Sequence, residues 1–236
     1  MNYMGSKSKL ASHLYNVIRP HRGEKQWVEP FVGGANFIQW VSGVRWGNDS
    51  NRFLIACLVA LQEGWRPDYI TEEEFDDIKA NKDTGKYPDH VIGWTLTACT
   101  YRTVWNAGFS RPHTTAKGEA RDIQRSNLNR VVGYASKLWG IRFTAGSYLD
   151  MDIPDTSLVY CDPPYFQTGK YEGGFDHQPF YEWLIERSAR QMVFVSEYTC
   201  PPEFVQVWQH HRKTDMAKTT GKVERLFVHE RFSNLF

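Results

Sequence analysis

The sequence has no apolar run long enough to span a lipid bilayer, and Met1 to Lys7 include no apolar region like that of a signal peptide. Its four cysteines are widely spaced, form no metal-ligand pattern and in three cases lie in apolar runs. We therefore expect buried free thiols in a reducing cytosol, and neither a membrane anchor nor a zinc site. The cysteines are Cys57, Cys99, Cys161 and Cys200.

Two further motif classes are missing. There is neither a Gly-x-Gly-x-x-Gly fingerprint nor a P-loop lysine, so nucleotide binding of those kinds fits poorly. No cluster of carboxylates suited to metal binding is visible, which argues against a metal-dependent endonuclease.

Net charge is also nearly absent, at +1 over 236 residues, and on its own this argues against a generally basic nucleic-acid binder. The distribution is more informative. Residues 63–89 carry nine acidic and four basic side chains, whereas 101–142 carry eight basic and two acidic ones. Such local asymmetry favours one face suited to phosphates.

The most informative stretch present is a short apolar run, Leu158 to Cys161, that ends at a double proline. The run predicts a buried strand, and prolines cannot continue a sheet ladder because they lack N–H donors. Asp162 and the Pro163 carbonyl are therefore expected at the carboxyl edge of a sheet, where open α/β sheets bind ligands. A plain turn after a strand is the alternative reading.

A fixed carboxylate, a fixed carbonyl and an aromatic face suit a planar base that bears an exocyclic amine. Asp162 and the Pro163 carbonyl can each accept one amine hydrogen, and Tyr165 can stack on the ring. Drawing the hydrogens out of the ring plane would free the lone pair of an otherwise poor nucleophile such as adenine N6.

Two earlier segments also place candidate ligand-binding residues at the ends of predicted strands. Trp27 to Phe37 predicts a strand, a turn at Gly33 and Gly34 and then a helix, with glycine permitting close backbone approach. Asp49 ends a second strand before a helix, either as its N-cap or as a carboxylate that grips ribose hydroxyls.

Other elements follow from periodicity. Residues 6–18 predict a helix capped by Ser6, Thr71 to Glu74 form a capping box, and residues 91–99 predict a buried helix. Strands are expected near 141–148, 191–197 and 225–228, helices at 176–184 and 204–208, and a hairpin turn at 219–222.

The segment from Tyr101 to Arg130 mixes arginines with aromatic residues and glycines, which suits phosphate contact, contact with base edges and stacking. A plain basic loop is the alternative. The candidate DNA-binding residues are Arg102, Asn106, Arg111, Lys117, Arg121 and Arg125.

Asp162-Pro163-Pro164-Tyr165 after a strand resembles the catalytic motif of amino-methyltransferases that use S-adenosylmethionine. With Glu29 to Gly34 and Asp49 in the expected order, nearly the whole chain resembles the Dam-type DNA adenine-N6 methyltransferases, especially their short bacteriophage versions. The resemblance implies an α/β Rossmann-like class I methyltransferase sheet with helices on both faces.

The same resemblance implies residue roles. Asp162, Pro163, Pro164 and Tyr165 would be catalytic, and a target adenine would be flipped out of duplex DNA to reach them. Ser147 or Tyr148 would lie near the cofactor adenine, unless they simply end a strand. The candidate residues for binding S-adenosylmethionine are Tyr3, Gly5, Lys7, Glu29, Phe31, Gly33, Gly34, Asp49, Ser147, Tyr148 and Asp162.

We expect residues 1–62 and 141–236 to form the cofactor-binding catalytic domain, with 63–140 inserted for DNA recognition. The chain would act in the cytoplasm of a bacterial or phage-infected cell, as a monomer or weak dimer on DNA, in restriction-modification. Open rivals are a cytosine-N4 methyltransferase, an RNA or protein-glutamine methyltransferase, and a DNA-binding protein whose methyltransferase site has decayed.

Overall fold

The structure, a computed structural model, describes residues 7, 10–101, 104–115, 118–165, 175–211 and 223–236. Helices in these ranges are α1 (Ala11–Ile18), α2 (Arg52–Gln62), α3 (Glu72–Ala80), α4 (Asp89–Ala98), α5 (Ile123–Ala135) and α6 (His177–Ser188). The strands are β1 (Trp27–Glu29), β2 (Arg45–Asp49), β3 (His113–Thr114), β4 (Ala120–Arg121), β5 (Ile141–Ala145), β6 (Leu158–Cys161), β7 (Val193–Glu197), β8 (Phe204–His211) and β9 (Val223–His229).

Seven strands form one sheet in the order β5-β2-β1-β6-β7-β9-β8. The first five run parallel, whereas β9 is antiparallel to both β7 and β8. The chain leaves β1 toward β2 on one side and later returns to β6 on the other, which makes the carboxyl end of β1 a topological switch point. This confirms the predicted α/β Rossmann-like sheet.

Alternating strand residues point to opposite faces, and each face has its own apolar cluster. Trp27, Leu158 and Tyr160 pack with helices α1, α2, α4 and α5. Val28 and Val159 pack on the opposite face with α6. Helices therefore cover both faces, as predicted. None of the helices in the described part of the chain is long and apolar enough to cross a membrane.

Close packing of α4 on α2 depends on a glycine. A Cβ built on Gly93 would lie 1.9 Å from the carbonyl oxygen of Phe53 and 2.9 Å from the Cβ of Cys57. Helix axes approach this closely only where one side chain is absent. The segment 63–140 thus contributes buried residues of α3, α4 and α5 to the cluster that covers the sheet; its boundaries as a separate unit remain a prediction.

Several sequence predictions are confirmed at the level of elements. Thr71 and Glu74 form the capping box at α3, and Asp176 caps α6. The strands expected near 141–148, 191–197 and 225–228 are present as β5, β7 and β9. The four cysteines are free.

Three element predictions are wrong. Helix α1 spans Ala11–Ile18 and Lys7 is not helical, so the helix does not run unbroken over residues 6–18, and the expected cap at Ser6 lies outside the described residues. Residues 204–208 lie in strand β8, because they pair with β9. No helix opens directly after the glycine turn, since Gly33 and Ala35 have φ of 49° and 50°, and only a short 3-10 turn forms at Ile38–Trp40. The hairpin turn expected at 219–222 lies outside the described residues.

Candidate active site

Three acidic residues stand where parallel strands end at one edge of the sheet. Glu29 closes β1, Asp49 closes β2, and Asp162 directly follows β6. Because β1 pairs with β2 on one side and with β6 on the other, the switch point gathers all three. The sequence prediction that Asp162 lies at a ligand-binding sheet edge is consistent with this position.

Asp162 belongs to a buried polar network. The ammonium of Lys7 lies 2.9 Å from Oδ1 of Asp162 and 3.3 Å from Oε2 of Glu224, a residue of β9. Lys7 also donates to the Tyr165 hydroxyl, which in turn donates to Oε2 of Glu224 at 2.7 Å. One cation therefore serves two carboxylates and a phenol.

Burial raises the pKa of the Asp162 carboxyl, and the negative charge of Glu224 raises it further, while Lys7 and the Tyr165 hydroxyl act in the opposite direction. Burial likewise raises the pKa of Tyr165 well above its usual value, so this phenol stays protonated near neutral pH. A carboxylate that is ionised yet poorly solvated is a strong hydrogen-bond acceptor.

The turn that follows Asp162 is held from outside by a histidine. Nε2 of His177, the first residue of α6, lies 2.9 Å from the carbonyl oxygen of Pro164 and 3.4 Å from Oε1 of Glu197. Both neighbours accept hydrogen bonds, so Nε2 carries the hydrogen. Glu197 is fully buried at the end of β7. The double-proline turn is thereby tied to the neighbouring strand.

The ring of Tyr165 contacts both an aromatic side chain and a cation. Its ring packs edge-on against Tyr198, with centroids 4.6 Å apart, and the Lys7 ammonium lies 4.3 Å from its centroid. Stacking of Tyr165 on a base therefore remains a prediction, and it would place the base beside the ring and next to Asp162.

The glycine turn after β1 is fixed by the carboxylate that ends β2. Oδ2 of Asp49 accepts the backbone N–H of Gly33 at 2.9 Å, and Oδ1 accepts that of Asn51 at 3.0 Å. Asn51, not Asp49, is the N-cap of α2, because its side chain accepts the N–H of Leu54. Burial raises the pKa of Asp49, partly offset by these two backbone donors.

Asn48 joins three strand ends next to this turn. Its side-chain amide donates to the Gly146 carbonyl at 2.9 Å and to the Pro30 carbonyl at 3.4 Å. Its Oδ1 accepts the hydroxyl of Thr144 at 2.8 Å. The buried amide thus fixes the loops after β1 and β5 relative to β2. Beside it, the Gly34 carbonyl accepts the buried Tyr134 hydroxyl at 2.6 Å.

Glu29, at the end of β1, is buried and bonds within its own strand. It is 3% exposed, and its Oε1 accepts the indole N–H of Trp27 at 2.9 Å. Burial raises its pKa well above the usual value, and the charge of Asp162 adds to that shift. A cofactor-binding role for Glu29 remains a prediction.

An aromatic wall stands next to the same strand ends. Phe31 and Tyr148 have ring centroids 5.0 Å apart, and both contact Phe175 and Phe180. Ser147 accepts the N–H of Leu149 and so begins the short turn that carries Tyr148.

Of the predicted DNA-binding residues, four are described. Asn106 has a φ of 57° in a loop whose carbonyls, at Asn106 and Ala107, accept the ammonium of Lys79 at 2.9 and 3.1 Å. Arg111 is exposed and forms a bidentate pair with Glu72. Arg121 is exposed on β4, and Arg125 on α5 lies over the ring of Tyr69. The predictions at Tyr3, Gly5, Arg102 and Lys117 fall outside the described residues.

Three residues of the site had no sequence signal that assigned them a role. Glu224, His177 and Asn48 each bond to a predicted site residue or its loop, yet they lie in separate strands and helices. Glu197 belongs to the segment Val195 to Tyr198, which contributes to the family resemblance. A buried acidic residue in a strand pattern is a signal that could have indicated Glu224, since charges are buried only when paired.

Comparison with known proteins places this geometry in context. The family model described as D12 class N6 adenine-specific DNA methyltransferase matches residues 3–182. No curated protein matches the sequence.

Similar solved structures include an rRNA methyltransferase and a protein described as a putative methyltransferase, all at low sequence identity. TrmN from Thermus thermophilus is 14% identical with a TM-score of 0.42, covering 94% of this chain and 48% of that one. The rRNA methyltransferase aviRa from Streptomyces viridochromogenes is 10% identical with a TM-score of 0.38, covering 93% and 83%. SMU.472, complexed with SAH, is 11% identical with a TM-score of 0.38, covering 97% and 53%. The chain thus spans about half the length of TrmN.

Proposed function

Because the chain belongs to the D12 class of N6 adenine-specific DNA methyltransferases, we propose that it transfers a methyl group from S-adenosylmethionine to N6 of an adenine in duplex DNA. The observation that carries the proposal is Asp162. This carboxylate stands in Asp-Pro-Pro-Tyr at the sheet edge, keeps 21% of its side chain exposed, and has Lys7 at 2.9 Å.

The residues at the switch point fit S-adenosylmethionine by their chemistry. Asp49 is half-buried and already fixed by two backbone donors, so its carboxylate is preorganised to accept ribose hydroxyls. Phe31 and Tyr148 offer aromatic surface to an adenine ring. When bound, the cofactor supplies a sulfonium-activated methyl group as the electrophile.

Asp162 and the Pro163 carbonyl would hold the target amine. Each oxygen accepts one N6 hydrogen, which draws the amine out of conjugation with the ring and exposes its lone pair. Asp162 would also receive the proton that N6 sheds once methylated, a role to which its raised pKa is suited. Fixed positioning of these acceptors by Lys7 and by the His177 contact supplies much of the rate enhancement.

The adenine is out of reach in a paired duplex, so the target base would be flipped out of the stack. Tyr165 offers the ring beside Asp162 on which the flipped base would stack. Side chains at Asn106, Arg111, Arg121 and Arg125, with Arg102 and Lys117, would contact DNA phosphates and base edges. In this proposal the segment 63–140 carries target recognition.

The proposal extends to the setting of the enzyme. Its partner would be double-stranded DNA, bound by a monomer or a weak dimer. The reaction would occur in the cytoplasm of a bacterial or phage-infected cell, where methylation of one class of site protects DNA from restriction.

The test is methyl transfer from labelled S-adenosylmethionine to unmethylated duplex DNA, followed by digestion to nucleosides. We expect label in N6-methyladenosine, and mapping of the labelled fragments then gives the recognition site. Label in N4-methylcytosine would retain the amine chemistry and overturn the base. Cofactor binding without label on DNA would overturn the proposed substrate.

A further inference from the structure

Glu224 lies beyond the part of the chain that the family model matches, on the strand β9 that runs antiparallel beside β7. It is 4% exposed, and its Oε2 accepts the Tyr165 hydroxyl at 2.7 Å. The same oxygen lies 3.3 Å from the ammonium of Lys7. A C-terminal strand therefore reaches two residues of the proposed methyl-transfer site.

The three charges of this cluster are arranged around the lysine. Lys7 lies 2.9 Å from Asp162 and 3.3 Å from Glu224, so one positive charge is shared between two negative ones. In a poorly solvated site such contacts are strong. An ammonium that pairs with a single carboxylate neutralises the charge of that carboxylate more completely than an ammonium shared between two. Glu224 therefore competes with Asp162 for Lys7.

Exposure separates the roles of the two carboxylates. The Asp162 side chain keeps 21% of its surface accessible, against 5% for Glu224 and 4% for Lys7. Only Asp162 is open to a substrate amine. Glu224 lies behind the lysine and the phenol, so its effect on the reaction must pass through them.

We propose that Glu224 is a positioning residue for methyl transfer, which anchors Lys7 and the Tyr165 hydroxyl so that Asp162 retains acceptor capacity for the N6 amine. The proposal rests on the proposed function above. When the amine reaches Asp162, Glu224 provides the second carboxylate that keeps the Lys7 ammonium paired. It also fixes the rotation of the Tyr165 side chain beside the target base.

The contact between Glu224 and this cluster should change how the rate of methyl transfer depends on pH. Glu224 raises the pKa of Asp162, so removing its charge lowers that pKa. Asp162 accepts the amine when ionised, and activity is lost as the pH falls through its pKa. The acid limb of the rate profile should therefore move to lower pH in Glu224→Gln. Among the described residues, the other groups that interact electrostatically with Asp162 are Lys7, Tyr165, Glu29, Tyr160 and Cys161, and the substitution alters none of these side chains.

The experiment measures single-turnover methyl transfer from S-adenosylmethionine to duplex DNA as a function of pH. Wild type, Glu224→Gln and Glu230→Gln are compared, with cofactor affinity measured by calorimetry and folding by thermal melting. Glu230 is an exposed glutamate just past β9, so it controls for loss of one negative charge. We expect Glu224→Gln to be slower by about tenfold or more, as for loss of a charge-assisted hydrogen bond, with its acid limb moved to lower pH.

Cofactor affinity should stay near the wild-type value in both variants, and Glu230→Gln should match wild type throughout. If wild type transfers the methyl group and Glu224→Gln shows the same rate and the same acid limb, the positioning role of Glu224 is overturned while the proposed function stands. Absence of N6-methyladenosine from wild type would instead overturn the proposed function.

If Glu224→Gln does not fold, Glu224→Asp decides the question. It keeps the charge but withdraws it by one methylene, so the rate should fall while the acid limb stays close to that of wild type. A rate equal to that of wild type in folded Glu224→Asp would contradict a positioning role.

Discussion

The ammonium of Lys7 lies 2.9 Å from the carboxylate of Asp162, which joins the start of the chain to the turn that follows β6. Lys7 is 5% exposed and precedes α1, and its carbonyl accepts the N–H of Leu10 to close the turn into that helix. A lysine is buried to this extent only where carboxylates pair with it. The ion pair holds the proposed catalytic carboxylate in place and lowers its pKa against the larger, opposite effect of burial.

Lys7→Gln should shift the pH profile in the direction opposite to Glu224→Gln. The charge of Lys7 lowers the pKa of Asp162, so its removal raises that pKa and moves the acid limb of the rate profile to higher pH. We also expect the rate at neutral pH to fall by about tenfold or more, because a buried charge-assisted bond is lost. Single-turnover kinetics across pH measure both effects. Lys137→Gln, an exposed site, serves as control; an unmoved limb in Lys7→Gln would contradict the electrostatic account.

His177→Ala should slow transfer without weakening cofactor binding. The imidazole holds the Pro164 carbonyl at 2.9 Å, and loss of that contact would let the double-proline turn shift relative to its substrate. Misplacement of acceptors by a fraction of an ångström to 1 Å reduces rates by about tenfold to a hundredfold. The measurements are kcat, KM for DNA and cofactor affinity, with exposed His13→Ala as the matched control. A lowered melting temperature with kcat unchanged would show that His177 is only structural.

Substitutions of Arg111 and of Glu72 should change the affinity for DNA in opposite directions. Their side chains form an exposed bidentate pair, so Glu72 competes with phosphate for the guanidinium. Arg111→Ala should weaken duplex binding and reduce the slope of log K against log salt by about 0.9, the value for one phosphate contact. Glu72→Gln should tighten binding at low salt. Fluorescence anisotropy titrations check both, with exposed Glu73→Gln as the reference. An unchanged salt slope in Arg111→Ala would remove Arg111 from the DNA surface.

Two helical glycines should respond oppositely to alanine. At Gly93 a new Cβ would meet the Phe53 carbonyl at 1.9 Å, and forcing α4 away from α2 should destabilise the protein by about 1–3 kcal/mol. At Gly133 on α5 nothing lies within 4 Å of the added Cβ, so Gly133→Ala should stabilise by about 0.5–1 kcal/mol. Denaturant unfolding measures the pair. Equal stability of Gly93→Ala and wild type would contradict the close helix packing.

Most of the fold could be predicted because its apolar patterns are local. The run from Leu158 to Cys161 and the capping box at Thr71 identify their elements without reference to distant residues. Strand β8 could not be identified this way, because its pairing with β9 shifts register between Gln206 and Trp208. That irregularity breaks the alternation of period two and leaves apolar residues at a spacing that imitates a helix.

The site was predicted only where motif residues are contiguous. Asp162 and the glycine turn stand out because prolines and glycines restrict or free the backbone at fixed positions. Glu224 and His177 contact the double-proline turn after β6 from other elements, and only the folded sheet brings them near it. Lys7 lies outside helix α1, and its side chain pairs with Asp162 and Glu224, two residues that are far from it in the sequence.

The most direct test of the central claim is single-turnover methyl transfer to adenine by Asp162→Ala beside wild type. Lys7 keeps Glu224 as its partner in this variant, so the fold should survive. Exposed Asp152→Ala controls for loss of a carboxylate. We predict that Asp162→Ala loses transfer while its DNA affinity stays close to that of wild type. Near-normal formation of N6-methyladenosine by Asp162→Ala would contradict the assignment of this carboxylate as the acceptor of the target amine.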